Sequence, residues 1–259
     1  MMTVVETSRR GDAERLAREA ASSGIGLVLA GGGDGTVNEI VNGFAGVARP
    51  PVIGVLPLGT ANVLARELGL PLGVGAAATA LAKGRPRTVH LGLVNGRRFV
   101  MMAGVGFDAR VVAAVRPEAK SRFGRLAYAA TTADLWVRGE PARYTLQVGG
   151  TSEEVGSVIV ANGRFYAGGF IACPDADLSR PELSLCVLGS SGRGRLLMTA
   201  LALGIGRIAW APGVRHLAAP SLHIDGPPEE PVQADGDIVG GLPAMFSVAT
   251  ETLQMLAPA

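Results

Sequence analysis

A glycine-rich segment between a short apolar run and a helical pattern constrains the fold of this chain more than any other feature. The apolar run at residues 27–30 is followed by three glycines and then by Asp-Gly-Thr at residues 34–36. From Val37 to Phe44, apolar side chains recur at the i, i+3, i+4 and i+7 positions of a helix. Glycines let backbone N–H groups approach an anion closely, and a helix N-terminus favours negative charge. The order of strand, glycine loop and helix therefore predicts a phosphate-binding loop.

The composition is that of a folded protein with a sizeable core. The 259 residues suffice for one large domain or two modest ones, and 48% are hydrophobic against 18% charged. The formal net charge of +2 is too small to indicate a nucleic-acid partner. The two cysteines form no CxxC pattern, and the three histidines have no metal-ligand spacing. Free thiols in a reducing compartment are therefore expected.

The first third of the chain alternates between strand and helix patterns. Strands are predicted at residues 3–7, 26–30 and 52–56, and a helical pattern follows each of them. Strands that alternate with helices indicate a parallel sheet with helices on its faces. We therefore expect a three-layer α/β nucleotide-binding domain over residues 1–87.

Near Arg87 the pattern changes to strands joined by turns. Residues 88–94 alternate between apolar and polar side chains, and the following Asn95-Gly96 is a strong hairpin signal. Later strands are predicted at residues 144–148, 157–162, 183–188, 221–224 and 245–249, and helices at 125–137 and 196–208. We expect an antiparallel β-sandwich domain over residues 88–259, and the pattern leaves open whether its last residues return to the first domain.

The longest apolar segment, residues 196–212, has two open interpretations. It is shorter than the roughly 20 residues that a membrane span needs. One interpretation is a buried helix of the core. The other is a helix that touches a membrane surface, where Arg207 and Trp210 suit the interface.

Four short polar clusters lie at expected loops or strand ends. Two of them, at residues 31–36 and 57–62, follow strands of the predicted parallel sheet, whose carboxyl ends meet at one edge. The other two lie at residues 104–109 and 234–237. Each cluster alone has a plain structural explanation as a tight loop, a helix cap or a β-turn. Their joint occurrence in this order indicates a ligand site.

Taken in this order, the clusters resemble the diacylglycerol kinase catalytic-domain family, which includes bacterial diacylglycerol kinase-like and sphingosine kinase-like lipid kinases. The matching segments are GGGDGTVNEIVNG, PLGTANVLARELGLP, AGVGFDA, ANGRFYAGGFIACPDA and ADGD. The resemblance implies an α/β domain followed by a β-sandwich, and transfer of the γ-phosphoryl group of ATP to a lipid hydroxyl with Mg²⁺. It also implies a membrane lipid as substrate and a cytoplasmic enzyme in peripheral contact with the inner membrane. The particular lipid and the oligomeric state stay open, with a homodimer as one option.

The resemblance also assigns roles to individual residues. The expected nucleotide contacts are Thr7, Gly32, Gly33, Asp34, Gly35, Thr36, Val37, Asn38 and Thr60. Asp34 is also expected to help place Mg²⁺. Asp235 and Asp237 stand where the family has Asp-Gly-Glu, in which a carboxylate acts as general base on the lipid hydroxyl. Asp108 stands where the family has an acidic residue that faces the acceptor.

This sequence departs from the family pattern in three places. Family members begin with a further strand and an Asn-Pro loop, so the sheet is expected to lack its first strand and to expose an edge. The family's Asp-Gly-Glu is Asp235-Gly236-Asp237 here, and the second carboxylate is shorter by one methylene. Arg180 and Ser184 occupy acidic positions of a structural Mg²⁺ site in bacterial members, so that metal is not expected unless Asp175 or Asp177 partly substitutes.

Two alternatives to an active lipid kinase stay open. A catalytically impaired lipid- or nucleotide-binding protein with the same fold would account for the departures. A soluble kinase of the NAD kinase type also uses Gly-Gly-Asp-Gly, but the segment at residues 57–62 and the Asp-Gly-Asp at residues 235–237 argue against it.

Overall fold

The structure is a computed structural model that describes residues 3–115, 125–138, 143–189, 193–208 and 211–258. The chain divides into two units. One comprises Met1–Val89 with Leu253–Ala259, and the other comprises His90–Thr252. The first contains strands and helices in alternation, and the second is mainly antiparallel β. The predicted fold class, an α/β domain followed by a β-sandwich-like domain, is confirmed.

Within the described residues, the first unit contains six complete elements, the beginning of a strand at Arg85–Val94 and the end of the last strand, Ala244–Ala257. In chain order they are α1 (Asp12–Ser22), β1 (Leu27–Gly32), α2 (Asp34–Gly43), β2 (Val52–Pro57), α3 (Val63–Glu67), α4 (Val74–Ala82) and β3 (Arg85–Val94). Strands β1 and β2 pair in parallel, so that Gly32 lies opposite Pro57. Helix α2 buries Val37, Ile40 and Val41, as its apolar periodicity predicts, and Phe44 directly after it is also buried.

The predicted strand at residues 3–7 is wrong. These residues are exposed and belong to no helix or strand, because no strand of the described sheet pairs with them. Strand β1 therefore lies at the edge of the sheet. Its side chains Leu27 and Leu29 are 46% and 42% exposed, which is the exposed edge that the sequence predicts.

Within the described residues, the second unit contains most of the remaining strands and three helices. In chain order its elements are β4 (Arg97–Phe99), β5 (Met102–Val105), α5 (Phe107–Ala114), α6 (Arg125–Arg138), β6 (Tyr144–Val148), β7 (Thr151–Ala161), β8 (Phe165–Tyr166), β9 (Phe170–Ile171), β10 (Leu183–Gly189), α7 (Arg193–Gly204), β11 (Val214–Ala219), β12 (Ser221–Asp225), β13 (Pro231–Ala234), β14 (Asp237–Gly241) and β15 (Ala244–Ala257). The strands pack their apolar faces around a core whose largest fully buried side chains include Phe99, Tyr144 and Phe246.

Two predictions in this unit, a hairpin and a strand near the end of the chain, correspond to elements of the structure. Asn95 and Gly96 both have positive φ and join β3 to β4 as a two-residue hairpin, as predicted. Strand β15 is much longer than the predicted strand at residues 245–249. Its end pairs in parallel with β2, with Met255 opposite Ile53, so the last residues do return to the first unit.

The predicted helix at residues 196–208 is α7, which ends at Gly204. Met198, Leu201 and Ile205 are exposed at positions i, i+3 and i+7, so the segment is not a wholly buried core helix. Trp210 lies outside the described residues. Within the part of the chain that the structure describes, none of the helices combines the length and the apolar character needed to cross a bilayer.

Candidate active site

In the first unit, the glycine loop and the loop after β2 touch at two glycines. A Cβ atom added to Gly59 would overlap the Cα of Gly33, so neither position accepts a side chain without a shift of the backbone. The two loops follow neighbouring parallel strands and therefore meet at the same edge of the sheet. This confirms the prediction that the clusters at residues 31–36 and 57–62 share one edge.

The N-terminus of α2 faces this edge with backbone donors. Gly33 is the N-cap residue, and the Val37 N–H donates to the Gly33 carbonyl at 3.2 Å. The N–H groups of Asp34, Gly35 and Thr36 precede this first intrahelical bond and have no acceptor within the helix. Together with the positive end of the helix dipole, they form an anion-binding arrangement.

Asp34 has a structural contact that sequence reasoning did not foresee. Its Oδ1 accepts the backbone N–H of Leu64 at 3.1 Å, at the start of α3. Nearby, Asn62 adopts positive φ, and its amide both accepts from the Gly59 N–H at 2.9 Å and donates to the Gly59 carbonyl at 2.8 Å. These contacts fix the shape of both loops. Asn62 could have been found from the sequence, because asparagine tolerates the left-handed region and often closes turns.

The other expected nucleotide contacts are exposed in two cases and buried in two. Thr60 is exposed beside Gly59, at the edge described above. Val37 and Asn38 are instead buried in α2, and the Asn38 Oδ1 accepts from Asn42 at 3.1 Å. Thr7 is exposed ahead of α1, and within residues 3–115 no hydrogen bond joins it to the glycine loop.

In the second unit, Asp235 and Gly236 form the two-residue turn between β13 and β14. Both have positive φ, 47° and 84°, and Ala234 lies opposite Asp237. Asp-Gly is a preferred sequence for this type I′ turn, because both central residues must adopt positive φ. The turn holds the two carboxylates of the Asp-Gly-Asp motif at the start of β14.

The Asp235 carboxylate satisfies backbone donors from another part of the chain. The Asp235 carboxylate accepts three successive backbone N–H groups, from Val100 at 2.7 Å, Met101 at 2.9 Å and Met102 at 3.0 Å. It thereby ties the turn to the segment between β4 and β5. Asp237 is half-buried at the first position of β14.

Asp108 lies in the first turn of α5 and is linked to the same hairpin. Its Oδ1 accepts the hydroxyl proton of Tyr166, and its Oδ2 accepts from the Gln233 amide at 2.8 Å. Burial raises the pKa of Asp108, while the two hydrogen bonds act in the opposite direction. Sequence reasoning missed Gln233, which is 2% exposed in β13, although it stands two residues before Asp235.

A charged network holds α5 against the residue before β13. Glu230 accepts from the guanidinium of Arg110 through two bonds and from the Tyr144 hydroxyl at 2.7 Å. Burial alone would raise the pKa of Glu230, but the hydrogen bonds from Arg110 and Tyr144 lower it below its ordinary value. The network therefore contains a carboxylate that is both buried and satisfied.

No group of three or more His, Cys, Asp or Glu side chains in the described segments is placed to hold a metal ion. In the stretch where bacterial relatives are expected to bind structural Mg²⁺, Asp177 accepts from the N–H of Ser179 at 2.9 Å and from its hydroxyl at 2.8 Å. Arg180 lies 3.8 Å from the same carboxylate. The stretch is thus a turn stabilised by its own side chains.

Comparison with known proteins identifies the family. Residues 1–94 match the model described as diacylglycerol kinase catalytic domain, and residues 101–257 match the YegS C-terminal NAD kinase beta sandwich-like domain. The chain belongs to the diacylglycerol kinase catalytic-domain family. This confirms the resemblance drawn from the sequence motifs.

Relatives within this family align over most of their length. A probable lipid kinase YegS-like protein of Pseudomonas aeruginosa strain UCBPP-PA14 is 32% identical over 260 residues, which cover 100% of this chain and 85% of the relative. A diacylglycerol kinase of Mycobacterium tuberculosis strain CDC 1551 is 34% identical, with 95% of this chain and 82% of the relative covered. A crystal structure of a diacylglycerol kinase from Bacillus anthracis strain Sterne superposes with a TM-score of 0.79 at 25% identity, covering 98% of this chain and 84% of that one.

Proposed function

We propose that this chain transfers the γ-phosphoryl group of ATP to the hydroxyl group of a lipid of the diacylglycerol or sphingoid class. The observation that carries the proposal is the anion-binding edge of the first unit, where Gly33 and Gly59 touch beneath the N-terminus of α2. Membership of a lipid kinase family indicates that this anion is a nucleotide phosphate.

The first unit is proposed to hold the ATP phosphates. Phosphoryl transfer needs little covalent work from the protein, so positioning and charge neutralisation dominate. We assign neutralisation to the backbone N–H groups of Gly35 and Thr36 and to the α2 dipole. The hydroxyl groups of Thr36 and Thr60 supply further donors at the same edge.

The residues at this edge fit a Mg²⁺ ion that arrives with ATP. Mg²⁺ is held by one or two carboxylates together with substrate phosphates and water, and it does not require a cage of protein ligands. Asp34 uses Oδ1 for the Leu64 amide, so we assign its Oδ2 to this ion. The ion would neutralise phosphate charge when bound.

The second unit is proposed to supply the general base. Asp235 accepts three backbone N–H groups, and we therefore assign it a positioning role. We assign the base to Asp237, whose carboxylate would accept the proton of the lipid hydroxyl as its oxygen bonds to the γ-phosphorus, while the bond from the γ-phosphorus to the β–γ bridging oxygen breaks and ADP leaves. Such proton transfer contributes about 10²–10⁴-fold to the rate. Asp108 would act on the acceptor side through the Tyr166 hydroxyl that it holds.

A peripheral contact with the cytoplasmic surface of the inner membrane is part of the proposal. Met198, Leu201 and Ile205 are 51%, 56% and 73% exposed on one face of α7 and the residue that follows it. An apolar helix face of this kind suits the boundary between headgroups and acyl chains. The contact would bring the enzyme to its water-insoluble substrate.

A transfer assay with radiolabelled ATP tests the proposal and separates it from its alternatives. The protein is incubated with γ-³²P-labelled ATP, Mg²⁺ and either NAD or mixed micelles of diacylglycerol, sphingosine, ceramide or monoacylglycerol, and the lipid extract and the aqueous phase are separated. The binding of ATP is measured in parallel by equilibrium dialysis. We expect labelled phospholipid from at least one acceptor. Label in NADP with none in lipid would indicate a kinase of the NAD kinase type. Binding of ATP without any transfer would indicate an impaired binding protein.

A further inference from the structure

We propose that Gln233 is a positioning residue that couples Asp108 to the turn carrying Asp237. The proposal rests on the function proposed above and goes beyond it by adding a residue to the acceptor side. One amide side chain makes both links, since its Nε2 donates to Asp108 Oδ2 at 2.8 Å and its Oε1 accepts the Gly236 N–H at 3.0 Å.

The two partners determine which way the Gln233 amide faces. A carboxylate oxygen of Asp108 requires a donor, and the backbone N–H of Gly236 requires an acceptor. The glutamine amide offers both from one uncharged side chain. Gln233 is 2% exposed, so a side chain that lost either bond would leave a polar group buried without its partner.

The backbone around Gln233 is shaped to permit this contact. Gln233 lies opposite Gly104 of β5, and a Cβ atom at Gly104 would stand 2.8 Å from Asp108 Oδ2 and 3.4 Å from Gln233 Nε2. On its other side, the register between β13 and β14 shifts after Val232. Bulges of this kind re-aim side chains beside functional sites.

Gln233 influences the position of Asp237 through the backbone of the turn. The bond to the Gly236 N–H fixes the Asp235–Gly236 peptide of the turn, and Asp237, the proposed base, directly follows Gly236. The other bond fixes the Asp108 carboxylate, which in turn holds the Tyr166 hydroxyl. Loss of Gln233 is therefore expected to lower the rate of transfer and to leave the binding of ATP in the first unit unchanged.

The test is the kinetics of Gln233→Glu beside a matched substitution at Gln147. Gln147 also donates its amide to a carboxylate, Asp225 at 3.2 Å, but this pair is exposed. Gln233→Glu keeps the acceptor for Gly236 and replaces the amide donor with an oxygen, which meets Asp108 either as a like charge or through a shared proton. We expect kcat for lipid phosphorylation to fall by about 10- to 100-fold with the KM for ATP unchanged. Gln147→Glu is expected to keep the wild-type kcat.

A double variant adds a readout that a merely structural role would not give. Combining Asp108→Asn with Gln233→Glu exchanges donor and acceptor, because the amide then stands at position 108 and the carboxylate at position 233. The hydrogen bond between the two side chains can then form in the opposite direction. We expect kcat to recover to at least about tenfold above that of Gln233→Glu alone. A loss in the single variant without recovery in the double would overturn the pairing of Gln233 with Asp108.

The remaining outcomes are also decisive. A wild-type kcat in folded Gln233→Glu would overturn the inference and leave the proposed function standing. No lipid phosphorylation by the wild-type protein would overturn the proposed function, and the inference with it. Where thermal melting shows that Gln233→Glu does not fold, Gln233→Met removes both hydrogen bonds at similar volume and without added charge. A wild-type kcat in that variant would equally overturn the inference.

Discussion

Asp235 lies in the turn between β13 and β14, two residues before Asp237. Asp235 accepts three backbone N–H groups from the segment between β4 and β5. Asp237 is half-buried and begins β14. A carboxylate that satisfies three backbone donors stabilises the fold, and this is why we assign the chemistry to its neighbour.

Replacing Asp235 should therefore cost stability. Asp235→Asn keeps one oxygen acceptor and turns an NH₂ group toward backbone donors. We expect the free energy of unfolding to fall by about 2 kcal/mol, measured by urea denaturation. Asp225→Asn, at an exposed carboxylate, serves as the control and should cost less than about 0.5 kcal/mol. Equal stability of Asp235→Asn and the wild type would contradict the positioning role.

We assign Asp34 two roles, the hydrogen bond to the Leu64 N–H and a contact with Mg²⁺, and one substitution separates them. Asp34→Asn keeps an oxygen for the Leu64 N–H and removes the charge that we assign to Mg²⁺. We expect an almost unchanged melting temperature and a kcat/KM for Mg²⁺–ATP about 100-fold lower. Asp34→Ala removes both contacts and should lose turnover together with stability. A wild-type kcat/KM in Asp34→Asn would show that the residue acts only as a link between α2 and α3.

The sequence predicts the structure of this site where it depends on residues that are neighbours along the chain. Asp235 and Gly236 form a turn because their own backbone preferences favour positive φ. Gln233 was missed because its partner Asp108 lies 125 residues away, and no spacing shows that contact. The Asp34 contact with Leu64, 30 residues away, was missed for the same reason.

At the scale of elements, periodicity is reliable where an element packs mainly on its own neighbours in sequence. The strand β1, the helix α2 and the strand β2 follow from apolar runs and helical spacing. Residues 3–7 have a strand-like composition, but no strand of the described sheet pairs with them. The length of β15 depends on pairing with β2, far earlier in the chain, and no local pattern indicates that pairing.

We expect the exposed apolar face of α7 to contact the membrane. Leu201→Glu places a charge where we expect acyl chains, so binding to anionic vesicles should weaken by at least about tenfold in a sedimentation assay. Ile25→Glu, at an exposed apolar residue of the first unit, is the matched control and should bind as the wild type does. Equal binding by Leu201→Glu would show that α7 is not the contact.

At the scale of the whole molecule, the chain divides the proposed reaction between its two units. The anion-binding edge belongs to the first unit, and the carboxylates of the acceptor side belong to the second. The chain passes between the units twice, within β3 and again within β15. Substitution of a carboxylate that we assign to the acceptor side should therefore lower the rate of phosphoryl transfer. It should leave the affinity of the first unit for ATP unchanged.

The proposed division of roles is tested most directly by lipid phosphorylation by the wild type and by Asp237→Asn, with kcat and the KM for ATP determined for both. We expect the wild type to transfer ³²P from ATP to a lipid. In the variant, we expect a kcat at least about 100-fold lower and an unchanged KM for ATP. Equal kcat values in the two proteins, or no labelled lipid from the wild type, would contradict the assignment of Asp237 as the base in a lipid kinase.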